Sequence, residues 1–481
     1  KFIGSCLSLK IKPTQGVPVY MDKTCNTLSL FMGIVYAGGY YCMLDTTHPV
    51  ERINLILDTI QADILVVDNK SAKKAEKLGF QGEIINLDEL LEEYDGQAVD
   101  SEAQERLEKI REQALDTDPL YSIFTSGSTG VPKGVIVNHR STIDFIDCFT
   151  ETFGITNEDV IGNQAPFDFD VSVKDIYSSL KTGATLQLIP KMCFSFPTKL
   201  LDFLDDRKVT TIIWAVSALC IVTTLNGFEY KRPSSLNKIM FSGEVMPIKH
   251  LNAWRVQYPD AMFVNLYGPT EITCNCTYYV IDREFGLDEK LPMGKPFANE
   301  RVFLLDDEDK LVDAGRPGEL GEICVSGTAV TMGYLRNPEK TAAAFVQNPL
   351  NDRYLETIYR TGDLGYCSED GELFFSSRKD FQIKHMGHRI ELGEIETYMN
   401  AIEGLLRSCC IFDTDENKIL GFFEIEGASE LDRKGVTHAL KDKVPQWMIP
   451  NVLVKVETMP ITKNGKIDRK ELMKIYKEQE A

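Results

Sequence analysis

Long apolar runs, excess positive charge and paired cysteines are all missing from this sequence, and each absence removes a class of function. No stretch of the 481 residues reaches the roughly 18 apolar positions a membrane-spanning helix needs, so no membrane partner is expected. Basic residues are in deficit, with 52 Lys and Arg against 72 Asp and Glu and a net charge of −20. That balance argues against a broad nucleic-acid or anionic-lipid footprint, yet leaves room for a local basic pocket around a nucleotide. The twelve cysteines follow no repeated spacing. Cys274 and Cys276 have no second pair nearby, and adjacent Cys409 and Cys410 are badly spaced for zinc. Free thiols in a reducing compartment are the expectation. Lys1 opens neither with an initiator Met nor with a signal peptide, so the protein is expected to be cytoplasmic, with room for a missing first segment. Internal repeats and low-complexity tracts are absent as well.

What remains is an ordinary globular composition spread over more chain than one core usually organises. Apolar runs at 17–21 and 64–67 predict strands, and amphipathic stretches at 27–37 and 50–60 predict helices, the alternation of a layered β–α–β architecture. Strand patterns recur at 122–125, 185–188, 210–215, 238–241 and 263–266, with a helix at 198–206. The polar stretch 88–118, with a helical pattern at 102–115, is expected on the surface. Residues 1–379 therefore read as one large, multi-layered α/β domain. From Asp380 the elements shorten: strands at 409–412 and 420–424, a helix at 435–442 and a last helix after Asp468 predict a small α+β domain over 380–481.

The most informative segment is Thr125-Ser126-Gly127-Ser128-Thr129-Gly130-Val131-Pro132-Lys133-Gly134, which follows a strand pattern directly. Its glycines let backbone N–H groups turn toward an anion, its hydroxyls add donors, and Lys133 adds charge, so it predicts a phosphate cradle. Lys133 is followed by Gly134 rather than Ser or Thr, which excludes the ordinary P-loop pattern.

That loop resembles the signature of the adenylate-forming superfamily, and further motifs follow in the superfamily's order. They include Ala37-Gly38-Gly39-Tyr40, Phe169-Asp170-Val171-Ser172, Asn265-Leu266-Tyr267-Gly268-Pro269-Thr270-Glu271, Tyr359-Arg360-Thr361-Gly362-Asp363-Leu364, Arg389-Ile390-Glu391-Leu392-Gly393-Glu394-Ile395-Glu396 and Asn464-Gly465-Lys466-Ile467-Asp468-Arg469. Within the superfamily the chain looks most like amino-acid adenylation domains of nonribosomal peptide synthetases and D-alanine:carrier-protein ligases. It departs from them in lacking the first aromatic-rich motif and in carrying Ser377 where a glycine usually precedes Arg378.

The resemblance implies a two-step enzyme: ATP and an amino acid form an aminoacyl-AMP, which passes to the phosphopantetheine thiol of a carrier protein. It implies that Thr270 contacts the α-phosphate, that Glu271 holds Mg²⁺, and that Lys466 bridges the carboxylate and the phosphate as the catalytic lysine. Tyr267 would lie on the adenine, Asn265 on its amino edge, and Gly243, Glu244 and Val245 beside the ring, with Gly268 in the turn that follows. Asp363 would accept both ribose hydroxyls, Arg378 would reach the ribose and phosphate, and Asp380 would be the hinge about which the small domain swings. Asp170 would pair with the substrate ammonium, and Val171, Lys174, Ser217, Met240, Ser242, Leu266, Cys274 and Asn275 would line the side-chain pocket. Lys174 either meets an acidic or polar substrate side chain or turns toward Asp168 or Asp175 and leaves a small pocket. Ser242 stands where a D-alanine enzyme would carry Cys, which disfavours D-alanine. Two alternatives stay open: an acyl-CoA ligase, which has no need of Asp170, and a non-catalytic nucleotide-binding or scaffold module.

Overall fold

The computed structural model describes the chain apart from residues 95, 97–98, 128–129, 314–315, 381, 426–429, 463–466 and 481. The early β–α alternation forms a six-stranded sheet in the order Glu83–Asn86, Ile64–Val67, Gly16–Tyr20, Tyr40–Leu44, Pro119–Thr125, Lys133–Asn138. Gly16–Tyr20 and Tyr40–Leu44 are buried at every position, as parallel strands covered on both faces must be. The helix Cys25–Tyr36 joins them and starts on a reciprocal cap between Thr24 and Thr27.

A second sheet has the order Lys295–Pro296, Thr277–Val280, Met262–Tyr267, Lys238–Ser242, Thr211–Ala215, Val160–Asn163, Thr185–Leu188. Alternate residues of Lys238–Ser242 serve two layers: Ile239 and Phe241 pack with Trp214 and Trp254, while Met240 packs with Phe149, Val264 and Leu266. The helix His139–Phe153 brings Phe145, Phe149 and Phe153 to that second layer at four-residue spacing. The Asn138 side chain caps its start and Gly154, at φ +59°, ends it.

The predicted strands and helices are found with ends shifted by a few residues, and the helix Ser101–Gln113 buries only Ala103 and Leu107, as a surface element should. Unanticipated is a third, largely antiparallel sheet built from Glu300–Leu305, Gly321–Gly327, Thr357–Cys367, Phe345–Gln347 and Leu373–Arg378. Beyond it lie the hairpin Gln382–His385 and His388–Glu391, then a three-stranded sheet of Leu405–Asp413, Lys418–Ile425 and Val452–Lys455 with helices Leu392–Asn400, Arg433–Lys441 and Arg469–Glu480. Among the described residues no helix is long and apolar enough to cross a membrane. All twelve cysteines are free.

The site follows from this topology. Pro119–Thr125, Val160–Asn163, Thr211–Ala215, Lys238–Ser242 and Met262–Tyr267 end where the glycine-rich loop, Asp170, Ser217, Gly243 and Gly268 begin. The carboxyl edges of parallel strands are where such sheets leave a crevice for ligands.

Candidate active site

Phe169, Asp170, Val171, Ser242, Gly243, Gly268, Pro269, Thr270, Cys274 and Asn275 line one narrow cavity, completed by Lys384, Gly387 and Arg389 of the Gln382–His385 and His388–Glu391 hairpin. Asp170, at the start of the helix Val171–Thr182, does not cap it. Its Oδ2 accepts instead from the Thr270 hydroxyl at 2.6 Å, and burial raises its carboxyl above the usual range. Gly268 is required where it stands, because a Cβ there would lie 2.5 Å from Asn275 Cα. Val171 is buried at the cavity wall, whereas Met240 and Leu266 lie beneath the wall in the phenylalanine layer. Ser217 does not line the cavity: its N–H donates to Glu244 Oε2 at 3.2 Å, and its hydroxyl sits beside Gly387. Val245 is exposed at the cleft's outer edge.

Lys174 is fully buried. It turns toward neither Asp168 nor Asp175: its Nζ donates to Asn275 Oδ1 at 2.6 Å and reaches Ser242 Oγ at 3.4 Å.

On the nucleotide side, Asp363 receives the Tyr267 hydroxyl on one oxygen and the Arg378 guanidinium on the other. Arg378 also donates to Asp380 at 2.7 and 3.0 Å. Burial works against the Asp380 anion, but the Arg378 hydrogen bond and charge hold its carboxyl below the usual range. Asn265 donates to the Pro292 carbonyl at 2.8 Å. Lys384 is packed 5.5 Å from the Tyr267 ring centre, and burial lowers its ammonium.

The metal-ligand candidate Glu271 has no exposed surface. Its Oε1 accepts from the Tyr334 hydroxyl at 2.8 Å and its Oε2 from Arg389 at 2.5 Å. Burial opposes ionisation here too, yet Arg389 and Lys133 together hold the carboxyl at about 2.

The glycine-rich loop is clasped from the same direction. Gly127 N–H donates to Glu394 Oε2 at 3.0 Å, and Glu394 Oε1 pairs with buried Arg52 at 2.6 Å. Ser126 bonds the 389–391 backbone both ways, donating to the Arg389 carbonyl at 2.8 Å and accepting from Glu391 N–H at 3.1 Å. Lys133 pairs with Glu391 at 3.5 Å and faces the Tyr334 ring at 5.4 Å; burial, then the Arg389 charge, lowers its ammonium. Among the described residues Thr125 Oγ1 is buried without a partner, and Gly130 holds φ +80°. Ser128, Thr129 and Lys466 lie outside the described residues. Close to the last of these, Ile467 pairs with Ile461 and Arg469 with Glu396.

Three participants escaped sequence reasoning, Arg52, Tyr334 and the clasping role of Glu394, whereas the resemblance brings the Lys384–Arg389 loop to the site without saying what its side chains touch. The 389–396 motif marked the segment, but the partner of Arg389 is 118 residues away and only the fold brings the two together.

Comparison with known proteins agrees with this geometry. The family model described as AMP-binding enzyme matches residues 2–335. Zwittermicin A synthase ZmaJ of Bacillus cereus is 32% identical over 96% of this chain and 86% of its own length. Tyrocidine synthase 1 of Brevibacillus parabrevis is 31% identical over 95% of this chain, which spans 40% of that protein. The Vibrio cholerae adenylation domain AlmE, solved in complex with glycyl-adenosine-5′-phosphate, superposes with a TM-score of 0.82 at 22% identity, covering 99% of this chain and 92% of that one; that likeness concerns the fold. With the family model matching residues 2–335 and a relative 32% identical over 86% of that relative's length, the chain belongs to the AMP-binding enzyme family.

Proposed function

We propose that this chain is an AMP-forming acid–thiol ligase that activates an amino acid with ATP as aminoacyl-AMP and passes the aminoacyl group to the phosphopantetheine thiol of a carrier protein. The observation that carries the reading is a chain of contacts around one cavity: Asp170, Thr270 and Arg389 line it, Arg389 holds Glu271, and the 389–394 segment bonds Ser126 and Gly127 at the start of the glycine-rich loop. Asp170 supplies a buried anion for the α-ammonium. Thr270 now donates to Asp170, so its hydroxyl stands between the acid and phosphate ends of the cleft. Lys466 is assigned the catalytic ammonium, delivered when the small domain, 380–481, swings about Asp380.

Glu271 suits a hard dication such as Mg²⁺, being an oxygen donor kept ionised by its surroundings. When bound, that ion neutralises charge on the triphosphate. In the arrangement described here the same oxygen serves Arg389, and the Gly127 amide serves Glu394. A cation and an anion of the small domain thus stand where a metal ion and a phosphate would otherwise be held. Hairpin insertion and occupation by ATP are therefore mutually exclusive, and this arrangement belongs to the thioester-forming half of the reaction, with Gly387 at the hairpin tip. A pocket of fixed donors and charges of this kind lowers the barrier by holding charge as it develops.

Amino-acid-dependent ATP–pyrophosphate exchange, followed by loading of a holo-carrier protein, tests the reading. Exchange driven by simple carboxylic acids with CoA as the only acceptor would replace it with the acyl-CoA ligase alternative. The compartment is read as cytoplasmic from the free thiols.

A further inference from the structure

Lys174 is a buried cation that makes no ion pair among the described residues, although the carboxyls of Asp170 and Asp175 lie near enough to feel its charge. Its side chain has no exposed surface, and among the described residues its direct partners are neutral: Asn275 Oδ1 at 2.6 Å, Ser242 Oγ at 3.4 Å, a weak contact, and the Cys274 side chain. Asp175 is one position away in sequence but spends one carboxylate oxygen on Asn163 at 2.8 Å, and the other has no hydrogen-bond partner among the described residues. Burial pushes its carboxyl to about 7, so it is a poor source of compensating charge. Isolated ammonium groups are not retained in dry protein without a use or a partner.

The position indicates the partner. Asp170 and Lys174 are four residues apart, on one side of the first turn of the helix Val171–Thr182, so their Cβ atoms are about 5–6 Å from each other. Asp170, Ser242 and Asn275 all line the cavity, and Lys174 lies behind the last two, which it touches. The cavity thus has a carboxylate on its lining and an ammonium directly behind its lining. An ammonium, a hydroxyl and a carboxamide together make a donor set matched to a carboxylate.

Resting on the activity proposed above, we infer that the amino acid taken by this site is a short α-amino dicarboxylic acid, its side-chain carboxylate bound by Lys174, Ser242 and Asn275. Lys174 is then the specificity-determining residue, and the counter-ion it lacks arrives with the substrate.

The test is pyrophosphate exchange by the full chain with aspartate, glutamate and 2-aminoadipate against asparagine, glutamine, alanine, glycine and leucine. One of the three acids should exceed its neutral counterparts in kcat/KM by about a hundredfold or more, as a site built for a polar group discriminates. Lys174→Met should erase that margin, and Lys174→Glu should move the preference toward a basic amino acid. Exchange by the unaltered chain that favours alanine, glycine or an amide over every acid overturns this inference while leaving the activity intact. Exchange with no amino acid at all overturns the activity, and this inference with it. Because the substrate panel on the unaltered chain decides the matter, a variant that fails to fold does not obscure the result.

Discussion

Arg389 and Lys174 are both buried cations in one cleft, yet they are provisioned differently. Arg389 meets an ionised carboxylate, Glu271, at 2.5 Å, whereas Lys174 meets an amide and a hydroxyl. A charge that finds its partner within the chain ties two distant segments together, as Arg389 ties the His388–Glu391 strand to Glu271. Lys174, in the inference drawn above, is instead kept for a partner that comes and goes with the substrate.

The largest effect expected is on a third cation, Lys466. Lys466→Ala should lower aminoacyl-AMP formation by about 10²–10³-fold while sparing carrier loading from supplied aminoacyl-AMP; equal loss of both steps would remove the distinction between moving and resident cations. Glu271→Gln comes next. It leaves Arg389 buried beside a neutral amide, a loss of about 3–5 kcal/mol for the inserted arrangement, and it removes the candidate metal ligand. Both half-reactions should fall, exchange by about a hundredfold, as read from exchange and single-turnover loading. Arg389→Met should be one-sided, slowing thioester formation about tenfold or more and leaving pyrophosphate exchange within about threefold. If exchange collapsed as well, Arg389 would belong to adenylation and the division of labour drawn here would fail.

Asp363→Asn should raise the KM for ATP about tenfold, the equivalent of one charge-assisted hydrogen bond, with little change in the KM for the amino acid. Smallest is the pH response of the closing pair. The Glu271 carboxyl is depressed to about 2, so its contribution is present above the ordinary glutamate range and is lost only as pH falls from there through about 2. Hairpin seating, followed by hydrogen exchange of residues 382–391, should not vary between about pH 5 and 9. A change centred near neutrality would assign control to another group.

Much of this was legible in the chain. The Lys238–Ser242 and Met262–Tyr267 strands announce themselves because every second residue faces a packed helix layer, and the 125–134 loop because few other jobs need that density of glycine and hydroxyl. The sheet beginning at Glu300 was not legible: its strands carry polar residues such as Arg301, Glu322 and Arg360, and their pairing is set by partners far away in sequence. The site divided the same way. Asp170, Ser242 and Asn275 fall at positions a local motif fixes, while Arg52, Tyr334 and Glu394 become participants only when separate segments are brought together. For Lys174 the sequence left open a polar substrate or a turn toward Asp168 or Asp175; the side chain turns toward neither aspartate and reaches Asn275 and Ser242 instead, partners that only the fold brings within range.

The Arg378 guanidinium grips both Asp363 and Asp380 with one fork of donors. On the function proposed above, a ribose arriving at Asp363 competes for lone pairs that this guanidinium already uses, and what it loosens is the brace on Asp380, the proposed hinge. Nucleoside arrival would then be felt at Asp380 through one side chain, so that the empty and nucleotide-bound chain should differ in stiffness there.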